Sequence, residues 1–418
     1  MLRRSFFNLG ATPKLHYPVL SRTEAKDIRE IPLPEKAVLL YRGSAALALK
    51  AGDKVRTGQK LGSGEDILVS PVTGTVTEIS PYKGTYGRSF TAISVKVESP
   101  DVWDEEFAKI CKEGNLETLG PYLSALPGKP DISRILKADP AVHTVVIPVL
   151  DKDILISTSQ YLLHRRTDEV RGGIEHLRRM AGSARIVIAV PAELASVAEK
   201  TGAEVKVVKP VFPNAHPSIL AREIVRKKKG LGEDGVAFLS LEAVIGLNAL
   251  FGSGEFPVDK VFTVIGKDHS PFHVRARVGT PVKDVLEALG IRTGHGDRLI
   301  SGGPMSGEAI YWEETPVLAD TDGILVQGKD QIQQWSDTHC INCGECVRAC
   351  PSRVQVNMLI RFLENGLYQE AADLYDLMNC IECGLCGYVC TARIPLFQYI
   401  MLGKHECERK KAAEVANG

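Results

Sequence analysis

The sequence predicts a multidomain chain of α/β and α+β units that closes in a cysteine-rich helical unit. Three observations predict it. Eight of the ten cysteines fall between Cys340 and Cys390. Glycine-punctuated alternation of apolar and polar residues fills the stretch from about 30 to 100, as in half-buried strands. Beyond it, short β-branched runs alternate with helical periodicity. A chain of 418 residues also exceeds what one hydrophobic core usually serves.

The cysteines fall in two runs, Cys340-Ile-Asn-Cys343-Gly-Glu-Cys346-Val-Arg-Ala-Cys350-Pro351 and Cys380-Ile-Glu-Cys383-Gly-Leu-Cys386-Gly-Tyr-Val-Cys390. Both read C-x-x-C-x-x-C-x-x-x-C, the spacing of a bacterial two-cluster ferredoxin. Three closely spaced thiolates wrap one corner of an iron–sulfur cube, and the fourth cysteine reaches the cluster of the other run. The expected ligand sets are therefore Cys340, Cys343, Cys346 and Cys390 for one [4Fe–4S] cluster, and Cys350, Cys380, Cys383 and Cys386 for the second. Gly344 and Gly384 let the backbone bend close to each cube. A disulfide framework fits poorly in a long chain with no secretion signal. Structural zinc usually pairs two C-x-x-C knuckles and leaves no regular third and fourth cysteine. Cys111 and Cys407 fit no spacing and read as structural thiols.

Bulk properties exclude some partners. The formal net charge is +0, so no global field steers the chain to nucleic acid or an anionic membrane. The start, Met1 to Gly10, has too short an apolar run for a secretion signal. Apolar stretches such as Val145 to Leu150 fall far below the ~20 residues of a membrane helix. Free thiols and clusters both suit a reducing compartment.

The expected division is an arm over 1–29, a strand-rich module over 30–100, an α/β unit over 101–255, an α+β unit over 256–328, a two-cluster unit over 329–410 and a frayed tail over 411–418. The module carries Ala51-Gly-Asp-Lys-Val-Arg-Thr-Gly-Gln-Lys-Leu61 and Ser70-Pro-Val-Thr-Gly-Thr-Val-Thr-Glu-Ile79. These phrases resemble the barrel-sandwich modules of lipoyl and biotinyl domains. The loop Gly62-Ser-Gly-Glu-Asp66 lacks the lysine those modules modify, which favours a structural role.

In the α/β unit, Val145 to Leu150 and Arg185 to Val190 flank a helix over Gly173 to Met180, the alternation of a parallel sheet. No G-x-G-x-x-G or Walker-type loop is present. Phe212-Pro-Asn-Ala-His216-Pro217 reads as a rigid turn, with a binding loop as the less favoured alternative. Arg226-Lys-Lys-Lys229-Gly230 reads as a solvated, glycine-capped helix end, with docking of an acidic electron carrier as the alternative.

In the α+β unit, Val261 to Ile265 and His273 to Val278 read as a strand pair. Thr280 is the expected N-cap with Pro281 at the first helical position. Val282, Val285, Leu286 and Leu289 form one apolar face, and Gly290 closes the helix. Strands over Arg298 to Ser301 and Gly323 to Gln327 complete a β-grasp-like order. Gly302-Gly-Pro-Met-Ser-Gly307 reads as tight turns, since no helix follows to bind phosphate. Between the cysteine runs, Val354 to Glu364 and Tyr368 to Met378 read as a helical pair split by Asn365-Gly366.

The order of modules resembles the RnfC family of the Rnf electron transport complex, an ion-translocating ferredoxin:NAD oxidoreductase that moves electrons between NADH and ferredoxin and pumps ions. The residues that carry the resemblance are Ala51 to Leu61, Val278-Gly-Thr-Pro-Val282, Gly302-Gly-Pro-Met305 with Gly307, Gly323-Ile-Leu325, both cysteine runs, and Ile394-Pro-Leu396 with Gln398-Tyr399. It implies an α/β domain like the flavin-binding subunit of respiratory complex I, an SLBB-like β-grasp and a helical ferredoxin domain. It further implies a peripheral electron-transfer protein on the cytoplasmic side of the inner membrane. Its partners would be the other members of the complex and a donor or acceptor: ferredoxin, a cytochrome or NADH.

FMN is implied by the same resemblance, but the sequence departs from the family there. Leu119-Gly-Pro-Tyr-Leu-Ser-Ala-Leu-Pro127 has lost the clustered glycines of the FMN and NADH loop. Pro148-Val-Leu-Asp-Lys-Asp153 replaces the acidic phrase that would follow it. This region is closer to the NqrA subunit of the sodium-pumping NADH:quinone reductase, so no residue is assigned to FMN or NADH and none to catalysis. Thr391 stands where proline usually follows the last cysteine. The alternative reading is a soluble flavin and iron–sulfur reductase of the same build, such as a cobalamin reductase.

Overall fold

The computed structural model describes residues 14–42, 47–62, 67–113, 116–137, 141–225 and 235–417. Ser63 to Asp66 and Arg226 to Gly230 lie outside them.

The first unit is an antiparallel sheet in the spatial order Lys36–Tyr41, Ser89–Val97, Gly74–Lys83, Lys54–Val55, with a small pair of strands at Lys60–Leu61 and Leu68–Val69. Leu39, Val55, Ile93 and Val95 fill its interior.

The second unit holds four parallel strands in the order Glu204–Val207, Arg185–Val190, Thr144–Pro148, Val236–Phe238. The near-continuous β-branched runs of the two central strands, Arg185–Val190 and Thr144–Pro148, suit burial on both faces. Helices Thr167–Ala181 and Leu241–Gly252 pack closely on each other beside this sheet. The stretch Leu116–Ser124 is helical, with Leu119 and Leu123 buried in the core.

The third unit is a six-stranded mixed sheet in the order Arg29–Glu30, Pro271–Arg277, Asp259–Ile265, Gly323–Gln327, Arg298–Ser301, Glu308–Ile310. The arm thus supplies an edge strand to a sheet about 240 residues away in sequence. Helix Val282–Ala288 sits on this sheet through Val282, Val285 and Leu286. Its cap corrects the sequence expectation. Pro281, not Thr280, is the N-cap, and no side chain caps the helix. The backbone N–H of Thr280 bonds Arg277 instead, because the chain is still turning out of the preceding strand.

The last unit is helical. Val356–Leu363 and Tyr368–Tyr375 form the pair, parted by Gly366 at φ +71. The closing helix runs from Leu396 to Asn417. It carries Lys410 and Lys411, where composition predicts a frayed tail; alanines on the following turn favour continued helix.

Buried polar contacts join the second and third units. Ser157 meets His273 Nε2 at 3.0 Å, and Tyr161 stacks on the same imidazole at 4.4 Å. Burial depresses His273 to about 4, so the ring there is neutral. Lys260 and Glu242 form a buried ion pair alongside. Burial opposes the ammonium, but the facing carboxylates outweigh it and hold Lys260 above its usual value.

Candidate metal centre

The two cysteine runs fold as one motif repeated at an offset of 40 residues. Asn342 and Glu382 adopt left-handed φ of 55 and 59, Gly344 and Gly384 of 78 and 74, and Arg353 and Arg393 of 59 and 54. Each loop therefore turns twice between its first three cysteines, which bends the thiols onto one side. A short helix follows each loop, Glu345–Ala349 and Leu385–Tyr388. The glycines were legible as bends; the left-handed Asn342, Glu382, Arg353 and Arg393 were not.

The folded loops bring the cysteines into two groups. Cys340, Cys343, Cys346 and Cys390 line one pocket, closed by apolar side chains that include Ile360 and Ile394. Thr391 Oγ1 lies 3.6 Å from Cys343 Sγ, so the end of the second run abuts the start of the first. Burial pushes the Cys346 thiol up to about 11, and Cys340, Cys343 and Cys390 add to the rise. In the second group burial raises Cys383 to about 11, and the neighbouring Cys380 and Cys350 add to the rise. Cys386 is raised further by deeper burial and by Cys380 and Cys383.

All eight thiols are free. Such a donor set fits a cubane, whose four iron corners each take one thiolate. Backbone N–H groups already point at sulfur: Val354 donates to Cys350 Sγ and Glu382 to Cys380 Sγ, both at 3.4 Å. Cys407 stands apart, buried, with its Sγ donating to the Tyr368 carbonyl at 3.3 Å.

The two loops differ in their surroundings. Ile341, Asn342 and Cys343 are exposed. The second loop instead packs into the body of the protein. Leu385 joins Tyr17, Leu150, Phe212 and Met305 in one buried cluster. His216 belongs to this joint. It follows a cis Phe212–Pro213 bond and lines a cavity of about 490 Å³ with Arg222, Ser352 and Cys380. Burial, then the Lys152 charge, depresses His216 to about 4.

The Gly302–Gly307 loop has an acidic anchor that the sequence did not reveal. Asp153 accepts N–H bonds from Met305 and Ser306 at 3.0 and 2.8 Å. A carboxylate thus takes the amides that a phosphate would need, in keeping with a turn rather than an anion site.

Comparison with known proteins agrees with this layout at both ends. The family described as RnfC Barrel sandwich hybrid domain matches residues 10–100. The family described as 4Fe-4S dicluster domain matches residues 339–394. The C subunit of the ion-translocating oxidoreductase complex of Edwardsiella ictaluri (strain 93-146) is 27% identical over 441 residues, covering 96% of this chain and 55% of that protein. The chain thus spans about half the length of that curated relative. The crystal structure of an NAD+-reducing [NiFe]-hydrogenase in the air-oxidized state aligns at TM-score 0.41 and 14% identity, over 62% of this chain and 58% of that one. That likeness is too loose to bear on fold or chemistry. The amino-terminal module, the dicluster domain and the relative matched along nearly the whole chain make this protein similar to the C subunits of the ion-translocating oxidoreductases.

Proposed function

We propose that the chain is an electron-transfer subunit of a membrane-associated, Rnf-like complex that couples redox transfer to ion translocation. The observation that carries this reading is the grouping of eight free cysteines into two sets of four, each drawn from both runs. Cys340, Cys343, Cys346 and Cys390 would hold one [4Fe–4S] cluster; Cys350, Cys380, Cys383 and Cys386 would hold the other. When bound, the clusters supply single-electron transfer. The chain's own residues bury Cys346 and Cys386 and donate N–H bonds to the sulfurs of Cys350 and Cys380.

The exposed loop at Ile341 to Cys343 is the face for a redox partner such as ferredoxin or a cytochrome. The second loop packs against both the α/β unit and the Gly302–Gly307 turn of the six-stranded unit. FMN does not fit the stretch assigned to it by resemblance. Leu119 and Leu123 are core residues of a helix there, in place of a glycine-rich loop that could approach a phosphate. We read the α/β unit as the complex-I-like scaffold without its nucleotide loop, and the six-stranded unit as the β-grasp. No described helix is long and apolar enough to cross a membrane, which is compatible with a peripheral protein held by membrane partners at the cytoplasmic face.

Anaerobic reconstitution followed by mixing with reduced ferredoxin tests the reading. Bleaching of the cluster absorbance by ferredoxin, with no response to NADH alone, is the expected result. Clusters inert to ferredoxin, cytochrome and dithionite alike would overturn it.

A further inference from the structure

The 40-residue repeat allows each cysteine loop to serve as a control for the other. In the first loop the left-handed residue is Asn342, whose side-chain oxygen accepts from Asn357 Nδ2 at 2.9 Å, a neutral pair. In the second loop the same position is Glu382, which pairs with Lys404 Nζ at 2.5 Å. That ammonium also donates to the carbonyl of the ligand Cys380 at 2.9 Å. Lys404 is only 9% exposed. Forty residues back along the repeat, its counterpart is Glu364, of opposite charge and exposed.

The first loop has a cation of its own. Arg348 donates to the Cys343 carbonyl at 3.0 Å and pairs with Glu345. Its side chain, however, is 53% exposed, so water and salt screen its field. We propose that Lys404 sets the reduction potential of the second cluster and holds it above that of the first.

The physical ground is the charge of the reduced state. One added electron makes a cluster and its thiolates more negative. A buried cation beside a ligand stabilises that form and raises the potential, and an exposed one does so weakly. Glu382 opposes the effect but does not cancel it: the Lys404 ammonium bonds the Cys380 carbonyl directly and its side chain is 11% exposed, whereas the Glu382 carboxylate is 31% exposed and more screened. Electrons arriving from a one-electron donor therefore settle on the buried cluster, inside the protein, before the exposed one.

The proposal rests on the two-cluster reading, and its test separates the two. Reconstituted wild type, K404Q, E382Q and R348Q are titrated with dithionite as the one-electron reductant, and the two reduction waves are followed by EPR beside an iron count. K404Q should shift one wave about tenfold toward the oxidised form, which is about 59 mV downward. E382Q should move the same wave upward. R348Q should move the other wave by less than about threefold, because its charge is screened. A K404Q wave unmoved at full iron content, or moved no more than R348Q moves its own, would overturn the proposal. If K404Q loses iron, E382Q decides: no upward shift would overturn it. Wild type that binds no iron would instead sink the cluster reading itself. A purely structural tether would leave all waves in place.

Discussion

A Cβ built on Gly384 would collide with the backbone carbonyl oxygen of Met305. The second cysteine loop and the Gly302–Gly307 turn therefore touch backbone to backbone. The first loop has no such contact, since the nearest atom to a Cβ on Gly344 is the mobile guanidinium of Arg348 at 3.2 Å.

Alanine at the two glycines should separate these effects. Both sit at left-handed φ, which costs about 1–2 kcal/mol for an L-residue. G344A should lose about that much. G384A should lose more, and should part the helical unit from the six-stranded unit. Thermal unfolding and limited proteolysis read the difference; equal effects would contradict the docking role of Gly384.

Crossed ligation makes a specific expectation for the fourth cysteines. C350S should damage the cluster held by Cys380, Cys383 and Cys386, and C390S the one held by Cys340, Cys343 and Cys346. EPR of the remaining cluster identifies which was lost. Loss of the cluster nearest in sequence would refute the crossed scheme.

The Glu242–Lys260 pair is buried, with side chains 9% and 2% exposed. Removing one partner leaves an uncompensated buried charge. K260M or E242L alone should destabilise by about 3–5 kcal/mol, while the K260M/E242L double variant should recover much of it. Denaturant midpoints measure this, provided the m-value is unchanged.

Asp151 gives the fold a pH dependence. Burial raises its carboxyl to about 7, against hydrogen bonds from Ser159 and with a push from Asp322. A raised acid favours folding while protonated. Its contribution is complete below the usual carboxylate value of 3.8 and is lost as pH rises through about 7. D151N should remove that slope between these limits, by roughly 1.4 kcal/mol per pH unit at most. A D151N stability profile with the wild-type slope would contradict the assignment.

How much the sequence disclosed follows from where each signal is stored. The cysteine runs, Gly344, Gly384, the parallel strands at Val145 and Arg185, and the break at Gly366 are local, and all were legible. The cap at Pro281 was not, because the path of the preceding strand decided it against the propensity of Thr280. The helix through Lys410 was hidden by an end that looked frayed in composition. Asp153 under the Gly302–Gly307 loop and Lys404 under Cys380 are contacts between distant segments, and no periodicity encodes them. The left-handed Asn342 and Glu382 are dictated by the demand that three thiols face one side, which appears only once the loop is folded.

The central claim is two four-iron clusters on eight named cysteines. Iron and acid-labile sulfide counted per chain after anaerobic reconstitution test it most directly. About eight of each is the expected result. Fewer than about four irons per chain, with all eight thiols still free to alkylation, would contradict it.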